Sequence, residues 1–263
     1  MEKINQLRKT SPLIICFTND VVKNFTANGL LALGVSPAMA EEPEEADAFL
    51  SVAGALLVNI GTINQANREA MLHYARCAKK RAVPVVLDPV AVGASPFRKT
   101  FVAQLLQEGL IDVIRGNASE IQALIDHNAT MVGTDSDMSL DSVDIARRAF
   151  EQLHIPIVLT GKIDAIAAGG RLYKLSNGSA QLTRVTGGGC LLGAVIAAFV
   201  SGQKEINGAH LVEGISLYNI ASEHAASTEK GHLPGHFQIA LLDALFEMTP
   251  EIVERDIVME VIR

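Results

Sequence analysis

Three consecutive glycines precede a strongly apolar helical segment in residues 185–191, which read VTGGGCL. Residues without side chains let several backbone N–H groups converge on one anion, and the dipole of the following helix adds a favourable field. Gly187, Gly188 and Gly189 therefore predict an anion cradle, although an ordinary strand-to-helix turn explains them equally well. Cys190 falls in the first helical turn, where the pKa of a thiol is usually lowered. No Gly-Lys-Ser/Thr follows, so the stretch is not a P-loop.

Two acidic residues stand where predicted strands end. Asp88 closes the apolar run 84–88 and is followed by a loop rich in small residues. A carboxylate in this place suits a metal or a water, whereas Asp before Pro also favours a plain turn. Glu120 suits a Mg²⁺ held through water. It equally fits a capping box with Asn117, three residues earlier, and both interpretations hold together.

An arginine follows the predicted strand 112–114, and a threonine ends the predicted strand 156–160. Arg115 is suited to grip a phosphate. The run Thr160-Gly161-Lys162 offers a hydroxyl and backbone N–H groups to the same kind of ligand. Each signal is weak alone. Together they put carboxylates, an arginine, a hydroxyl and a glycine cradle on one edge, which favours phosphoryl transfer, a reaction driven by positioning and charge neutralisation.

A repeating pattern of elements must position these residues. Apolar runs of strand length recur, each followed by a helix-like stretch, which predicts a doubly wound α/β sandwich with ligands at the carboxyl ends of parallel strands. The predicted strands are residues 13–18, 35–40, 55–59, 84–88, 112–114 and 156–160, with a hairpin at 165–168 and 172–175. The predicted helices are residues 21–33, 66–80, 97–107, 118–125, 140–153, 190–200, 209–227 and 237–246. Asp20 is expected to cap the first helix, and the tail 250–263 fits neither pattern.

The composition narrows the class of protein. Hydrophobic residues make up 49% of the 263 positions and tryptophan is absent, which suits a parallel sheet covered on both faces. A net charge of -7 argues against a nucleic-acid partner. Three scattered cysteines argue against disulfides and a zinc site and favour a cytoplasmic location. The apolar run 191–200 is about half a bilayer crossing, so we expect no membrane partner and one domain over residues 1–263.

From about residue 13 to residue 245 the chain resembles the hydroxyethylthiazole kinase family of the ribokinase-like superfamily. The matching segments are TND and NFTAN (18–20, 24–28), GVSPAM (34–39), NIGT (59–62), LDPVAVGA (87–94), RGNASE (115–120), TG (160–161) and the glycine turn before Cys190. The resemblance implies a three-layer α/β/α sandwich whose mostly parallel sheet has a short antiparallel edge and no separate lid. It also implies ATP- and Mg²⁺-dependent phosphorylation of 4-methyl-5-(2-hydroxyethyl)thiazole in thiamine salvage, by a homotrimer with sites at subunit interfaces.

The resemblance assigns substrate and catalytic roles by position. Met39 and Asn19 are expected to line the thiazole pocket, and Gly187 belongs to the anion hole near the substrate hydroxyl. Cys190 occupies the place where most ribokinase-like enzymes keep an aspartate base. It is expected either to act as the base or only to orient the hydroxyl.

The resemblance also assigns residues to the nucleotide. Arg115, Thr160 and Asn117 are expected to bind ATP. Asp88 and Glu120 are expected to support Mg²⁺.

One position departs from the family and keeps two alternatives open. Family members usually carry Gly-Thr-Gly-Cys or Gly-Ala-Gly-Cys, whereas this chain has Gly188 in the second place, at an ordering cost of about 1 kcal/mol at most. Gly188 is the only residue that favours the first alternative, in which the chain is a non-catalytic or repurposed relative that binds a thiazole or a nucleotide. Another ribokinase-like enzyme, such as a hydroxymethylpyrimidine or pyridoxal kinase or a hydrate dehydratase, is expected to carry Asp where this chain has Cys190.

Overall fold

The apolar runs of the sequence pair into one mixed sheet. A computed structural model describes residues 1–126 and 141–262, and its strands follow the order β2-β1-β3-β4-β5-β6-β7-β8-β9 across the sheet. The strands are β1 (Leu13–Phe17), β2 (Ser36–Ala38), β3 (Ala53–Asn59), β4 (Val85–Asp88), β5 (Val113–Asn117), β6 (Ile157–Thr160), β7 (Asp164–Ala168), β8 (Arg171–Leu175) and β9 (Met259–Ile262). Strands β1 to β6 run parallel, and β7, β8 and β9 add an antiparallel edge. The predicted hairpin and the mostly parallel sheet are thus confirmed, and the described residues contain no second sheet that would form a lid.

Helices cover both faces of this sheet. They are α1 (Lys3–Thr10), α2 (Lys23–Leu33), α3 (Ala46–Leu50), α4 (Gln65–Lys80), α5 (Pro96–Gln107), α6 (Ala118–Ile125), α7 (Ser142–Leu153), α8 (Gly188–Phe199), α9 (Gly208–Ser227), α10 (Pro234–Glu247) and α11 (Pro250–Asp256). Successive strand residues point to opposite faces, so Ile14 and Cys16 pack with α1, α2 and α8 to α11, whereas Ile15 and Phe17 pack with α3 to α7. The result is a three-layer sandwich with a core on each side of the sheet.

Several predicted boundaries differ from the structure. The N-terminal helix α1 was not expected, and the tail that fitted neither pattern forms α11 and β9. The predicted start of α7 at residue 140 lies outside the described residues. Asp20 does not cap α2, because the N-cap of this helix is Val22, which makes no side-chain cap bond. The Asp20 carboxylate instead forms an ion pair with Lys23 at 2.7 Å. In the described ranges, no helix is long and apolar enough to cross a membrane.

The strand register brings the polar strand ends into one row. Asn59 of β3 lies opposite Asp88 of β4, and Asn117 of β5 lies opposite Thr160 of β6. Because these strands are parallel, their carboxyl ends share one edge of the sheet, which is where ligands bind in such folds. Helix α8 packs against β1, β3 and β4, and Gly189 in its first turn lies against Arg115 of β5, which places the start of the helix at the same edge.

Candidate active site

The glycine turn is built so that side chains are excluded from it. Gly187 is the N-cap of α8 and has a φ of 91°, a left-handed conformation that favours glycine. A Cβ there would lie only 2.8 Å from Cγ1 of Val22. The helix starts at Gly188, two residues earlier than predicted, so Gly188, Gly189 and Cys190 form its first turn. The leading N–H groups of a helix lack intrahelical acceptors, so they are directed out of the helix end.

Gly189 makes room for the arginine of the site. A Cβ on Gly189 would lie 2.9 Å from Nη2 and 3.0 Å from Nη1 of Arg115. A hydrogen bond from α9 also fixes the turn: the buried hydroxyl of Tyr218 donates to the Gly188 carbonyl oxygen at 2.7 Å. The cationic guanidinium thus lies directly against the N-terminus of the helix.

Arg115 links two strand ends. Its Nη2 donates to Oγ1 of Thr160 at 2.8 Å, and its Nη1 lies 3.4 Å from Oδ1 of Asp88. Burial alone would lower the pKa of this guanidinium, but the neighbouring Asp88 and Glu120 carboxylates raise it above its ordinary value. Arg115 therefore stays charged at this edge, where it is positioned to meet an anionic ligand.

Asp88 is fully buried and its orientation is fixed by an amide. The Nδ2 of Asn59 donates to Oδ2 of Asp88 at 2.7 Å, while Oδ1 of Asn59 accepts from Gly61 N at 2.9 Å. Burial raises the pKa of Asp88 above its ordinary value and the nearby Glu120 adds to this shift, against the opposing effects of Arg115 and Asn59. Binding of a cation would favour the charged carboxylate.

Glu120 forms the capping box that its spacing of three residues from Asn117 predicts. Asn117 is the N-cap of α6, and the two residues form the capping box, with Asn117 N donating to Oε2 of Glu120 at 2.8 Å. The second oxygen, Oε1, accepts from Ala91 N at 2.9 Å, which ties α6 to the loop after Asp88. The capping prediction is confirmed. Both carboxylate oxygens already have protein partners, which leaves their remaining lone pairs for water.

The pKa of the Cys190 thiol differs from the sequence-based expectation. Its Sγ accepts from Nδ2 of Asn19 at 3.4 Å, and that amide also donates to Oδ1 of Asn59 at 3.0 Å. Burial raises the pKa of Cys190 to about 11, Asp88 adds to the shift, and Arg115 only partly opposes it. The expectation of a lowered pKa is therefore wrong, because burial and a nearby carboxylate raise the pKa of the thiol.

The turn after Thr160 also differs from its prediction. Thr160 Oγ1 accepts from Arg115 and lies 3.4 Å from the Gly116 carbonyl oxygen. The N–H of Gly161 is not available to a phosphate, because it donates to Oδ1 of Asp164 at 2.9 Å. This turn therefore offers a hydroxyl, and the buried Asp164 takes the backbone donor that was expected to serve the ligand.

Met39 stands at the end of a different strand from Asp88, Arg115 and Thr160. It follows the edge strand β2, is half-buried, and packs against the core on the face of α2 and α8. Two open cavities, of about 670 and 410 Å³, flank the cluster; the first is lined by Phe17 and Asp20, and the second by Phe25 and Arg184, among other residues. Neither of these two cavities is lined by Cys190, Arg115 or Thr160.

The structure adds residues that sequence reasoning gave no role. Asn59 was detectable, because it is the polar last residue of a buried apolar strand at the expected edge. Asp164 follows Thr160 closely, but only the structure shows its bond to Gly161. Tyr218 and Asn219 lie in the middle of α9, and nothing in their local sequence indicates that they reach this edge.

Comparisons with known proteins agree with the architecture. The sequence model of the hydroxyethylthiazole kinase family matches residues 4–251. A hydroxyethylthiazole kinase of Macrococcus caseolyticus (strain JCSC5402) is 56% identical over 246 residues, 94% of each chain. The structure of the hydroxyethylthiazole kinase protein from Pyrococcus horikoshii OT3 has a TM-score of 0.90 and 32% identity, over 100% of this chain and 98% of that one. A ribokinase-like superfamily protein from Enterococcus faecalis V583 has a TM-score of 0.61 at 14% identity, over 91% and 88% of the two chains, which confirms the ribokinase-like fold.

Proposed function

The chain belongs to the hydroxyethylthiazole kinase family, and we propose on that basis that it phosphorylates the alcohol of 4-methyl-5-(2-hydroxyethyl)thiazole with ATP, in thiamine salvage. The observation that carries this proposal is the position of the Arg115 guanidinium, which lies against Gly189 at the N-terminus of α8 and bonds to Thr160. A cation, a hydroxyl and a helix N-terminus at one point are the groups that neutralise and position a transferring phosphoryl group.

We assign the nucleotide to the β5 and β6 side of this edge. Arg115 and Thr160 contact the phosphates in this proposal, and their bond at 2.8 Å holds both groups ready before ATP arrives. Asn117 lies opposite Thr160 in the sheet register and joins them as an ATP-binding residue. The preformed arrangement means that little reorganisation is needed when charge develops on the phosphate.

Asp88 and Glu120 are our candidates for the Mg²⁺ site. Both carboxylates are buried and lie near one cation, Arg115, and binding of a further cation would favour the charged form of Asp88. Mg²⁺ prefers oxygen ligands, keeps several waters and takes one or two carboxylates besides substrate phosphates. Bound Mg²⁺ would neutralise charge on the phosphates.

We propose that Cys190 orients the substrate hydroxyl and does not act as a base. With a pKa raised to about 11, the thiol keeps its proton at pH 7 and therefore works as a hydrogen-bonding group. A loose transition state demands little early proton removal from the alcohol, so orientation suffices. Asn19, which donates to Sγ at 3.4 Å, lines the same pocket with Met39, and Gly187 supplies the adjacent turn.

The assembly and location are part of the same proposal. We propose a homotrimer with sites at subunit interfaces, supported by membership of the family and by the half-buried Met39 beside an edge strand. Each subunit would be a single domain, because all described strands join one sheet. The three free cysteines support a reducing, cytoplasmic location. Light scattering that gives a monomer would rule out the interface sites.

Coupled ADP release tests the proposed reaction. ATP turnover is measured with the thiazole alcohol, hydroxymethylpyrimidine and pyridoxal, with Mg²⁺ and with Mg²⁺ removed by a chelator. We expect turnover with the thiazole alcohol and its loss without Mg²⁺. No turnover with any of the three alcohols would refute the kinase assignment, and preference for pyridoxal or hydroxymethylpyrimidine would reassign the substrate.

A further inference from the structure

A buried carboxylate lies next to the site without belonging to the cluster around Arg115. Asp164 begins β7 and is 4% exposed. Its Oδ1 accepts from Gly161 N at 2.9 Å, and its Oδ2 accepts from Nδ2 of Asn219 at 2.7 Å. One end of this side chain therefore shapes the turn that follows Thr160, and the other end is held by helix α9.

Helix α9 holds a second loop on the same face. Ser222 and Glu223 follow Asn219 at helical spacings of three and four residues, which places all three on one face. Ser179 N donates to Oγ of Ser222 at 3.0 Å, and Gly178 N donates to Oε1 of Glu223 at 2.7 Å. One rigid helix thus fixes the turn after β6 and the loop after β8 relative to each other.

We propose that Asp164 and Asn219 form a positioning pair that holds the Thr160–Gly161 turn in its nucleotide-binding geometry and thereby sets the affinity for ATP. The inference rests on the proposed function, in which Thr160 contacts the ATP phosphates. Asp164 acts on the nucleotide only through Gly161 and the residue before it, so it is not itself a catalytic residue.

Burial of the Asp164 carboxylate works against its charged form. A buried ion that is replaced by a packed apolar residue often leaves stability unchanged or increased. Burial also raises the pKa of Asp164 to about 6, against the lowering effects of its bonds to Asn219 and Gly161, so the folded protein holds this carboxylate at a cost. The carboxylate has two acceptor oxygens, so it can hold the Gly161 N–H and the Asn219 side-chain amide in fixed positions at the same time.

A charge swap separates positioning from mere structure. Asn219→Asp places two buried carboxylates against each other and removes the donor to Oδ2. The double variant Asp164→Asn/Asn219→Asp restores the pair with its polarity reversed, because the new amide donates to the new carboxylate and its oxygen still accepts from Gly161 N. Ser216→Ala is the matched control: it lies on α9, is fully buried, and its hydroxyl has no hydrogen-bond partner within the described part of the chain.

ATP affinity is measured by isothermal titration calorimetry, together with the KM for ATP and the KM for the thiazole alcohol. We expect Asn219→Asp to weaken ATP binding by about tenfold or more while the KM for the alcohol changes by less than about threefold. The double variant is expected to recover most of the loss, and Ser216→Ala to match the wild type. If Asn219→Asp does not fold, Asn219→Ala takes its place with an expected loss of about threefold or more in ATP affinity.

Several outcomes would overturn the inference. They are unchanged ATP affinity in the folded single variants, equal changes in the KM of both substrates, and a double variant no better than Asn219→Asp. Wild-type protein that binds ATP but phosphorylates none of the alcohols would instead refute the proposed function, and the binding series would still test the pair. Wild-type protein that does not bind ATP would overturn both.

Discussion

The contact between Gly189 and Arg115 gives a sharp test of the proposed phosphate site. In Gly189→Ala the new methyl group would start 2.9 Å from Nη2 of Arg115, whereas ordinary contacts begin at 3.4 Å. The guanidinium must therefore move by about 0.5 Å. It is the flexible end of its side chain, so we expect the protein to fold and Arg115 to yield.

The displacement has a calculable cost for the reaction. Arg115 Nη2 donates to Thr160 at 2.8 Å, and its Nη1 is already 3.4 Å from Asp88, so a movement of this size weakens the first bond and breaks the second. A hydrogen bond to a charged group contributes about 1.5–3 kcal/mol. If the displaced Arg115 loses its hydrogen bond to the phosphate in the transition state, a loss of that amount corresponds to about a ten- to hundredfold fall in kcat/KM for ATP.

The neighbouring glycine supplies the control. In Gly188→Ala the new Cβ lies 3.0 Å from the Leu182 carbonyl oxygen, so Leu182 must move by a few tenths of an ångström, but the contact does not involve Arg115 and the backbone conformation is one that alanine accepts. Alanine also favours the helix by up to about 1 kcal/mol. Steady-state kinetics of ADP release should therefore place Gly188→Ala within about threefold of the wild type. Equal kinetics for the two variants, with similar thermal unfolding, would refute the argument that Gly189 makes room for Arg115.

The other predictions concern Cys190 and Asp164. Cys190→Ala is expected to lower kcat and Cys190→Asp to keep or raise it, and unchanged steady-state kinetics of the alanine variant would remove the thiol from the mechanism. Because burial raises the pKa of Cys190 to about 11, alkylation by iodoacetamide, mapped by mass spectrometry, should be slow at pH 7–8 and rise towards that pKa; fast labelling at pH 7 would contradict this. The folded protein holds the Asp164 proton more tightly than the unfolded chain does, since its pKa rises from 3.8 to about 6, so stability from this group is lost as the pH rises through that window. Relative to Asp164→Asn, the free energy of unfolding of the wild-type protein in urea should fall by about 2 kcal/mol between pH 4 and pH 6.5. A difference between the two proteins that does not depend on pH would contradict this prediction.

Much of the fold could be predicted because its strands carry a simple signal. Strands buried on both faces, such as β3 and β4, appear as continuous apolar runs, and each is followed by a helix with its own periodicity. Helix α1 lacks such a signal, since its placement depends on a bond between Ile4 N and Oε1 of Glu213, 209 residues away. Strand β9 joins β8 at an edge and leaves Met259 and Val261 exposed, so no burial pattern marks it.

The sequence predicted which residues form the candidate site, but not their pKa values or their hydrogen-bond partners. Strand ends predicted that Asp88, Arg115 and Thr160 would lie at one edge, and the structure brings them into contact. The pKa of Cys190 and the partner of Gly161 depend instead on burial and on Asp164, which only the folded chain defines. Rules based on local sequence therefore fail where a side chain elsewhere in the fold takes up a backbone donor or shifts the pKa of a site residue.

The central claim is that the γ-phosphoryl group of ATP reaches the hydroxyethyl oxygen of the thiazole. The most direct test uses ATP carrying ¹⁸O on its γ-phosphate, with Mg²⁺ and the thiazole alcohol, and mass spectrometry of the products. The account predicts a thiazole monophosphate that carries the label and forms in step with ADP. Unmodified thiazole, with the label found in inorganic phosphate or still in ATP, would contradict it.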